Sequence, residues 1–362
     1  MLRRILATTL CLLIVGCTSI AYYAQAVEGQ AKLMAGTRPI PEVVSDDATD
    51  PKLRQQLEKA IAIREFASSE LALPNNGSYR SYADLGRPFV VWNVFAASEF
   101  SVEPQQWCML FIGCVNYRGY YDKKDADRFA SELIQEGTDT YVAGVSAYST
   151  LGHFNDPVLN TFLRFGDTEV AHIIFHELAH QLVYAEGDSA FNESFATAVE
   201  NEGIHRWVSM SGSPERQRDF EAQQEHSAQF HRLVEDSRDK LRVIYGSSLA
   251  PDAKRHAKTE VFTEMKRTYA DLKAGWGGHG DYDRWFSQPL NNATMGSVAL
   301  YTQWVPAFQA LLEQEGGSLP RFYQRVAALA HLPKTERSTA LNQLFPSRPA
   351  PSEPSPNPLA FK

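Results

Sequence analysis

The stretch that most constrains this chain runs from Gly166 to Glu202, GDTEVAHIIFHELAHQLVYAEGDSAFNESFATAVENE. Asp167 or Thr168 is placed to cap a helix, and Val170, Ile173, Ile174, Leu178, Leu182 and Val183 recur at helical spacing. That spacing predicts a mostly buried helix of about four turns. His176 and His180 stand four residues apart and so project from one face of it. Two imidazoles one turn apart can hold a single Zn2+ at about 2.1 Å each, and Glu177, one step round, can take a proton from the water beside the ion. A third ligand comes from the residues just beyond His180. The Glu186-Gly187-Asp188 turn ends the first helix, Asp188 or Ser189 caps a second, and Glu193 falls in its first turns. If the second helix runs antiparallel, Glu193 is aimed back at the histidines. Two histidines and one glutamate leave the fourth position of one Zn2+ open for water, as a catalytic rather than a structural zinc requires. His172, one turn before His176, is read as structural, because three ligands from one straight helix cannot surround a metal tetrahedrally.

The same residues carry a family resemblance. His176-Glu177-x-x-His180 with Asn192-Glu193-Ser194-Phe195-Ala196 downstream resembles the gluzincin metalloproteases, and the second motif is similar to the third-ligand helix of aminopeptidase N-type enzymes. A closer resemblance is to a bacterial family of zinc aminopeptidases regarded as lipoproteins. It is carried by Ile63-Arg64-Glu65-Phe66-Ala67, Tyr79-Arg80-Ser81-Tyr82, Val91-Trp92-Asn93-Val94, Tyr117-Arg118-Gly119-Tyr120, Ala147-Tyr148-Ser149-Thr150-Leu151-Gly152 and Asn291-Asn292-Ala293. With weaker similarity between these stretches it covers roughly Thr37 to Leu344. The resemblance implies a metallopeptidase of the cell envelope with a peptide as substrate. The chain lacks the Gly-x-Met-Glu-Asn stretch with which aminopeptidase N-type enzymes hold the substrate's ammonium group. An envelope zinc endopeptidase, or a non-catalytic envelope lipoprotein in which zinc staples two helices, therefore stays open beside the aminopeptidase.

Residues 1–16 read as a lipoprotein signal peptide, with Met1-Leu2-Arg3-Arg4 ahead of a short apolar run, Ile5 to Val15. Ile14-Val15-Gly16-Cys17 matches a lipobox, so Cys17 is expected to become the N-terminus and to carry lipid that holds the protein to a membrane. The run is shorter than the ~20 residues of a membrane span. Thr18 rather than an aspartate follows Cys17, which favours the outer membrane facing the periplasm in a two-membrane host. Loss of the signal removes Arg3 and Arg4 and takes the net charge from −8 to −10. So acidic a chain excludes a nucleic-acid partner that must be tracked along its phosphates. Cys108 and Cys114 then remain, an even pair in an oxidising compartment, and a disulfide is the preferred reading over two buried thiols.

The rest predicts an α+β fold, a zincin-like core of mixed sheet and metal helices with a largely helical C-terminal lobe. Residues 17–50 are expected as a lipid-anchored tether, because the composition from Glu28 to Asp50 is polar and contains proline. The metallopeptidase domain is expected over 51–345, with sheet and metal helices to residue 208 and the helical lobe from 209; residues 346–362 form a Pro-rich disordered tail. A helix is predicted over Pro51–Leu73, strands over Pro88–Phe95, Trp107–Tyr117 and Thr140–Tyr148, and a crossover helix over Lys124–Glu136. The third strand and the loop through His153 are the candidate sheet edge for an extended peptide. Tyr148, His153, His279 and Tyr282 are candidate transition-state or substrate contacts. Asp188 and Glu200 are candidates for orienting the metal-binding imidazoles from behind.

Overall fold

The computed structural model describes residues 20–109, 113–210 and 212–345. The expected signal peptide, Cys17 and the proline-rich tail lie outside them. The segment from 28 to 50 is folded, contrary to the tether expected of it. Residues 20–35 form helix α1, followed by β1 (Arg38–Pro39) and α2 (Ile40–Ser45), and Leu33, Ile40 and Val43 are buried in the main core. Polar composition misled here because the polar groups are used internally. Gln25 accepts from the Tyr121 backbone N–H and donates to the Gly119 carbonyl, and Gln30 accepts from the Tyr121 hydroxyl. Gly29 packs so closely that a Cβ would overlap the Tyr121 ring, an approach only glycine permits. Helix α3 (Pro51–Ser69) is capped by Asp50, which accepts from the N–H groups of Lys52 and Leu53, and it buries Leu57, Ala60, Ile63 and Phe66. Strand β2 (Ser81–Ala83) pairs antiparallel with β1.

The main sheet is built on β3 (Val91–Ser98), buried along seven of its eight residues because both of its faces are covered. A separate hairpin, β4 (Trp107–Met109) and β5 (Gly113–Val115), is closed by a Cys108–Cys114 disulfide. Strand β6 (Arg118–Tyr120) pairs antiparallel with β3 on one side. Helix α4 (Lys123–Gln135) crosses one face of the sheet, burying Ala126, Ala130 and Leu133 against Trp92, Val94 and Ala96. Strand β7 (Thr138–Val145) returns antiparallel along the other side of β3 in the order β6-β3-β7, so it is an edge. Strand β8 (Val158–Leu159) pairs in parallel with β2, and α5 (Asn160–Leu163) leads towards the metal helices.

Helices fill the remainder: α6 (Asp167–Ala179), α7 (Ser189–Met210), the long hairpin α8 (Pro214–Gly246) and α9 (Pro251–Gly275), α10 (Asp283–Phe286), α11 (Asn292–Thr302), α12 (Val305–Gln314), α13 (Leu319–Ala330) and α14 (Lys334–Leu344). The fold is α+β. The C-terminal region is largely helical, as expected, and its helices are shared between two cores. Phe230, Leu241, Met265, Tyr269 and Phe286 of α8 to α10 make a core of their own with Val102 and Met295. Phe308, Leu311, Phe322 and Val326 instead complete the main core with Phe191 and Phe195 of α7. Helix α11 ends at Thr302, and α12 restarts with Pro306 in its first turn. Among the described residues no helix is long and apolar enough to cross a membrane.

Candidate metal centre

Helix α6 stops at Ala179, a turn earlier than its apolar spacing predicts, so Leu182 and Val183 lie in the connection beyond it. His180 is the C-cap and keeps right-handed helical geometry at φ −59° and ψ −23°, so it stays on the same face as His176. Two side chains fix how the chain re-enters α7. Asn192 accepts from the Ala185 N–H at 2.7 Å and donates to the Ala185 carbonyl at 2.9 Å. Asp188 accepts from the Phe191 N–H across the first turn and is ion-paired with Arg337 at 2.6 Å. Contacts rise along α6 from His172 to His180 as they fall along α7 from Glu200 to Glu193, which makes the two helices antiparallel.

Glu193 is thereby brought between the histidines. Its Oε2 lies 3.2 Å from Nε2 of His176 and 3.5 Å from Nε2 of His180. Two atoms that each sit about 2.1 Å from a tetrahedral ion are about 3.4 Å apart, so the donor set fits one zinc-sized cation. Among the described residues this is the one group of three or more His, Cys, Asp or Glu side chains close enough to hold a metal. Behind it, Nδ1–H of His176 donates to Glu200 at 2.8 Å and Nδ1–H of His172 to the other oxygen of Glu200 at 2.6 Å. The two oxygens of Glu200 thus take one Nδ1–H each from His172 and His176, which leaves Nε2 of His176 turned to Glu193. Asp188 does not share that work; it is a helix cap and the partner of Arg337.

Burial pushes the Glu177 carboxyl up to about 7, against the pull of the His176 and His180 imidazoles. Burial also opposes charge on Glu193, but His180 and His176 hold it down to about 2. The same holds for Glu200, kept at about 2 by hydrogen bonds from His172 and His176. Burial disfavours a charged His176, yet its bonds to Glu193 and Glu200 hold it well above the ordinary histidine range.

The other expected contacts lie elsewhere. Tyr148 bonds the Tyr121 hydroxyl at 2.5 Å and also Gln30, under helix α1. His153 is exposed in its loop, where its backbone N–H closes a turn onto the Thr150 carbonyl. His279 is exposed, its ring 6.3 Å from that of His226, and Tyr282 stacks on Phe230 at 3.8 Å in the core of the α8–α9 hairpin. Other tyrosines feel the charges of the centre, Tyr184 through Glu193 among them. The Tyr301 ring is 6.1 Å from that of His176, and the Glu193 charge, then burial, raises its hydroxyl well above the ordinary range. Tyr117 is raised likewise, by burial first and then by Glu193. Tyr79, held at a positive φ of 63°, buries a hydroxyl with no partner among the described residues, raised by burial and by the charge of Glu177. Tyr79 and Tyr117 lie inside stretches that carry the resemblance; Tyr301 has no local signal, since α11 reaches the site only through the fold.

A family model described as putative aminopeptidase matches residues 21–341. The chain belongs to that family. The match starts inside α1 and ends in α14, so the family domain takes in the N-terminal helix as well as both helical cores. His176, His180 and Glu193, the group that could hold a metal ion, lie within the matched span. No curated protein and no solved structure matches the chain.

Proposed function

We propose that this protein is a zinc-dependent peptidase, an aminopeptidase of the bacterial cell envelope held at the outer membrane by lipid on Cys17. The observation that carries the reading is the convergence of His176, His180 and Glu193 within ligand distance of one another, with the Glu177 carboxyl one residue from His176. Zinc held there supplies Lewis acidity to a scissile carbonyl and to the attacking water. Glu177, poised near neutrality by burial, takes the water's proton and returns it to the leaving amine. Glu200 keeps His176 in the tautomer the metal needs. Tyr301 stays protonated beside the Glu193 charge and can donate to the developing oxyanion.

Strand β7 supplies a surface for substrate. It is the sheet edge, with the Thr140 carbonyl taken by Asn291 at 2.8 Å and the Ser146 carbonyl just past its end by Thr161 at 2.5 Å. The backbone between these caps is where an extended peptide can add. The test is zinc content together with hydrolysis of aminoacyl amides and of N-blocked, internally quenched peptides. The expected result is one zinc per chain, with amides cleaved and blocked peptides spared. Glu177→Gln should keep the zinc and lose at least about a hundredfold in kcat. Full activity in that variant would remove Glu177 from the mechanism, and cleavage of the blocked peptides would make the enzyme an endopeptidase.

A further inference from the structure

We infer that the cleft beside the metal centre is a subsite for a large uncharged side chain, aromatic or branched aliphatic, on the substrate residue next to the scissile bond. This rests on the peptidase reading above. The cleft measures about 390 Å3 and opens between the β3–β7 face of the sheet and helices α8, α10 and α11. Its walls are Phe95 and Tyr141 from the sheet, Phe230 from α8, Trp285 from α10, and Val298 and Tyr301 from α11. Tyr301 belongs to both places, since its ring is also 6.1 Å from that of His176. An occupant of the cleft is therefore a neighbour of the metal ligands.

The chemistry of the wall selects the occupant. Among the described residues no Asp, Glu, Lys or Arg lines it. Its one histidine, His231, is driven down to about 4 by burial and is neutral at pH 7. A lysine or glutamate side chain placed there would give up its hydration with no opposite charge to replace it, whereas an aromatic or leucine side chain would gain apolar contact on several sides.

The experiment uses the full zinc-loaded chain and aminoacyl-amidocoumarins of Phe, Tyr, Leu, Ala, Lys and Glu. The kcat/KM for Phe, Tyr and Leu should exceed that for Ala by about tenfold and those for Lys and Glu by about a hundredfold. Filling the cleft with Val298→Trp should cut the Phe-to-Ala ratio by at least about tenfold with zinc retained; if that variant does not fold, Thr302→Phe asks the same question. Lys or Glu substrates cleaved as fast as Phe would overturn the subsite. Should the loaded enzyme cleave none of the amides, the aminopeptidase reading falls, and binding decides the subsite separately. Calorimetric titration of Glu177→Gln with N-acetyl amides of Phe, Ala, Lys and Glu then upholds the cleft if Phe binds best, and overturns it if the four bind alike or not at all.

Discussion

Glu200 lies 2.8 Å from Nδ1 of His176 and so decides which nitrogen of that imidazole faces Glu193. Because its second oxygen is 2.6 Å from His172, two histidines on successive turns of α6 are oriented by one carboxylate on α7. Partners of this kind are typically worth about 10–100-fold in metal affinity. Glu200→Ala should weaken zinc binding by about that factor, as read by competition against a chromogenic chelator. His172→Phe should cost less, since it leaves the Glu200–His176 bond in place. Unchanged affinity in Glu200→Ala would show that His176 is held by packing alone.

Arg337 makes a buried contact of a different kind. Its guanidinium meets Asp188 at 2.6 Å, with side-chain exposures of 6% and 4%, and also donates to the carbonyls of Leu329, Ala330 and Leu332 at the end of α13. Its removal takes from Asp188 its 2.6 Å partner, leaving Lys334 at 3.7 Å, and takes one donor from each of three carbonyls. Breaking such a pair from one side costs about 3–5 kcal/mol. Arg337→Ala should lower the urea midpoint accordingly, and because Asp188 starts α7, zinc affinity should fall with it. A variant with wild-type stability would mean that water reaches the pair.

The two metal helices are legible in the sequence because their signal is local: the spacing of His176 and His180 and the short interval to Glu193 need only helical geometry and an antiparallel return. The edge strand is legible for the same reason. The features that escape a reading of the sequence come from long-range packing. The 28–50 segment resembles a tether because Gln30 meets its partner, Tyr121, 91 residues away. Tyr301 joins the centre only because α11 is wedged between the sheet and α7, burying Ala293 and Leu300 against Phe95 and Ala97. His279 and Tyr282 are drawn in by a glycine-rich loop whose aromatic neighbours are used for packing on Phe230 and Trp276.

His231 gives a pH dependence with a definite sign. Burial lowers its folded-state value to about 4, while an unfolded histidine titrates near ~6.5. Above ~6.5 neither state carries the proton and stability is at its full value. As the pH falls from ~6.5 towards 4, the unfolded chain binds a proton that the folded chain refuses, and stability drops by about 1.4 kcal/mol per unit. His231→Gln should remove that slope. Urea midpoints at pH 7 and pH 5 for the two proteins measure it, and parallel changes in both would show that His231 is charged or solvated in the folded state.

Tyr301 is positioned to act on the reaction without holding the metal. Its ring is tilted 33° to that of His176, and the negative charge of Glu193 is the largest influence keeping its hydroxyl protonated. A phenol that stays protonated is a donor, and the charge that develops on a carbonyl oxygen during hydrolysis is the acceptor it suits. Loss of one such donor typically costs about 10²–10³ in kcat. Tyr301→Phe should show that loss with zinc content and KM close to wild type, because the ring that lines the cleft is kept. Tyr117→Phe is the comparison, since Tyr117 is also raised by Glu193 but does not line the cleft. If kcat is spared in Tyr301→Phe and lost in Tyr117→Phe, the donor is Tyr117; if both spare it, neither hydroxyl touches the oxyanion and the unpartnered hydroxyl of Tyr79 is the next to remove.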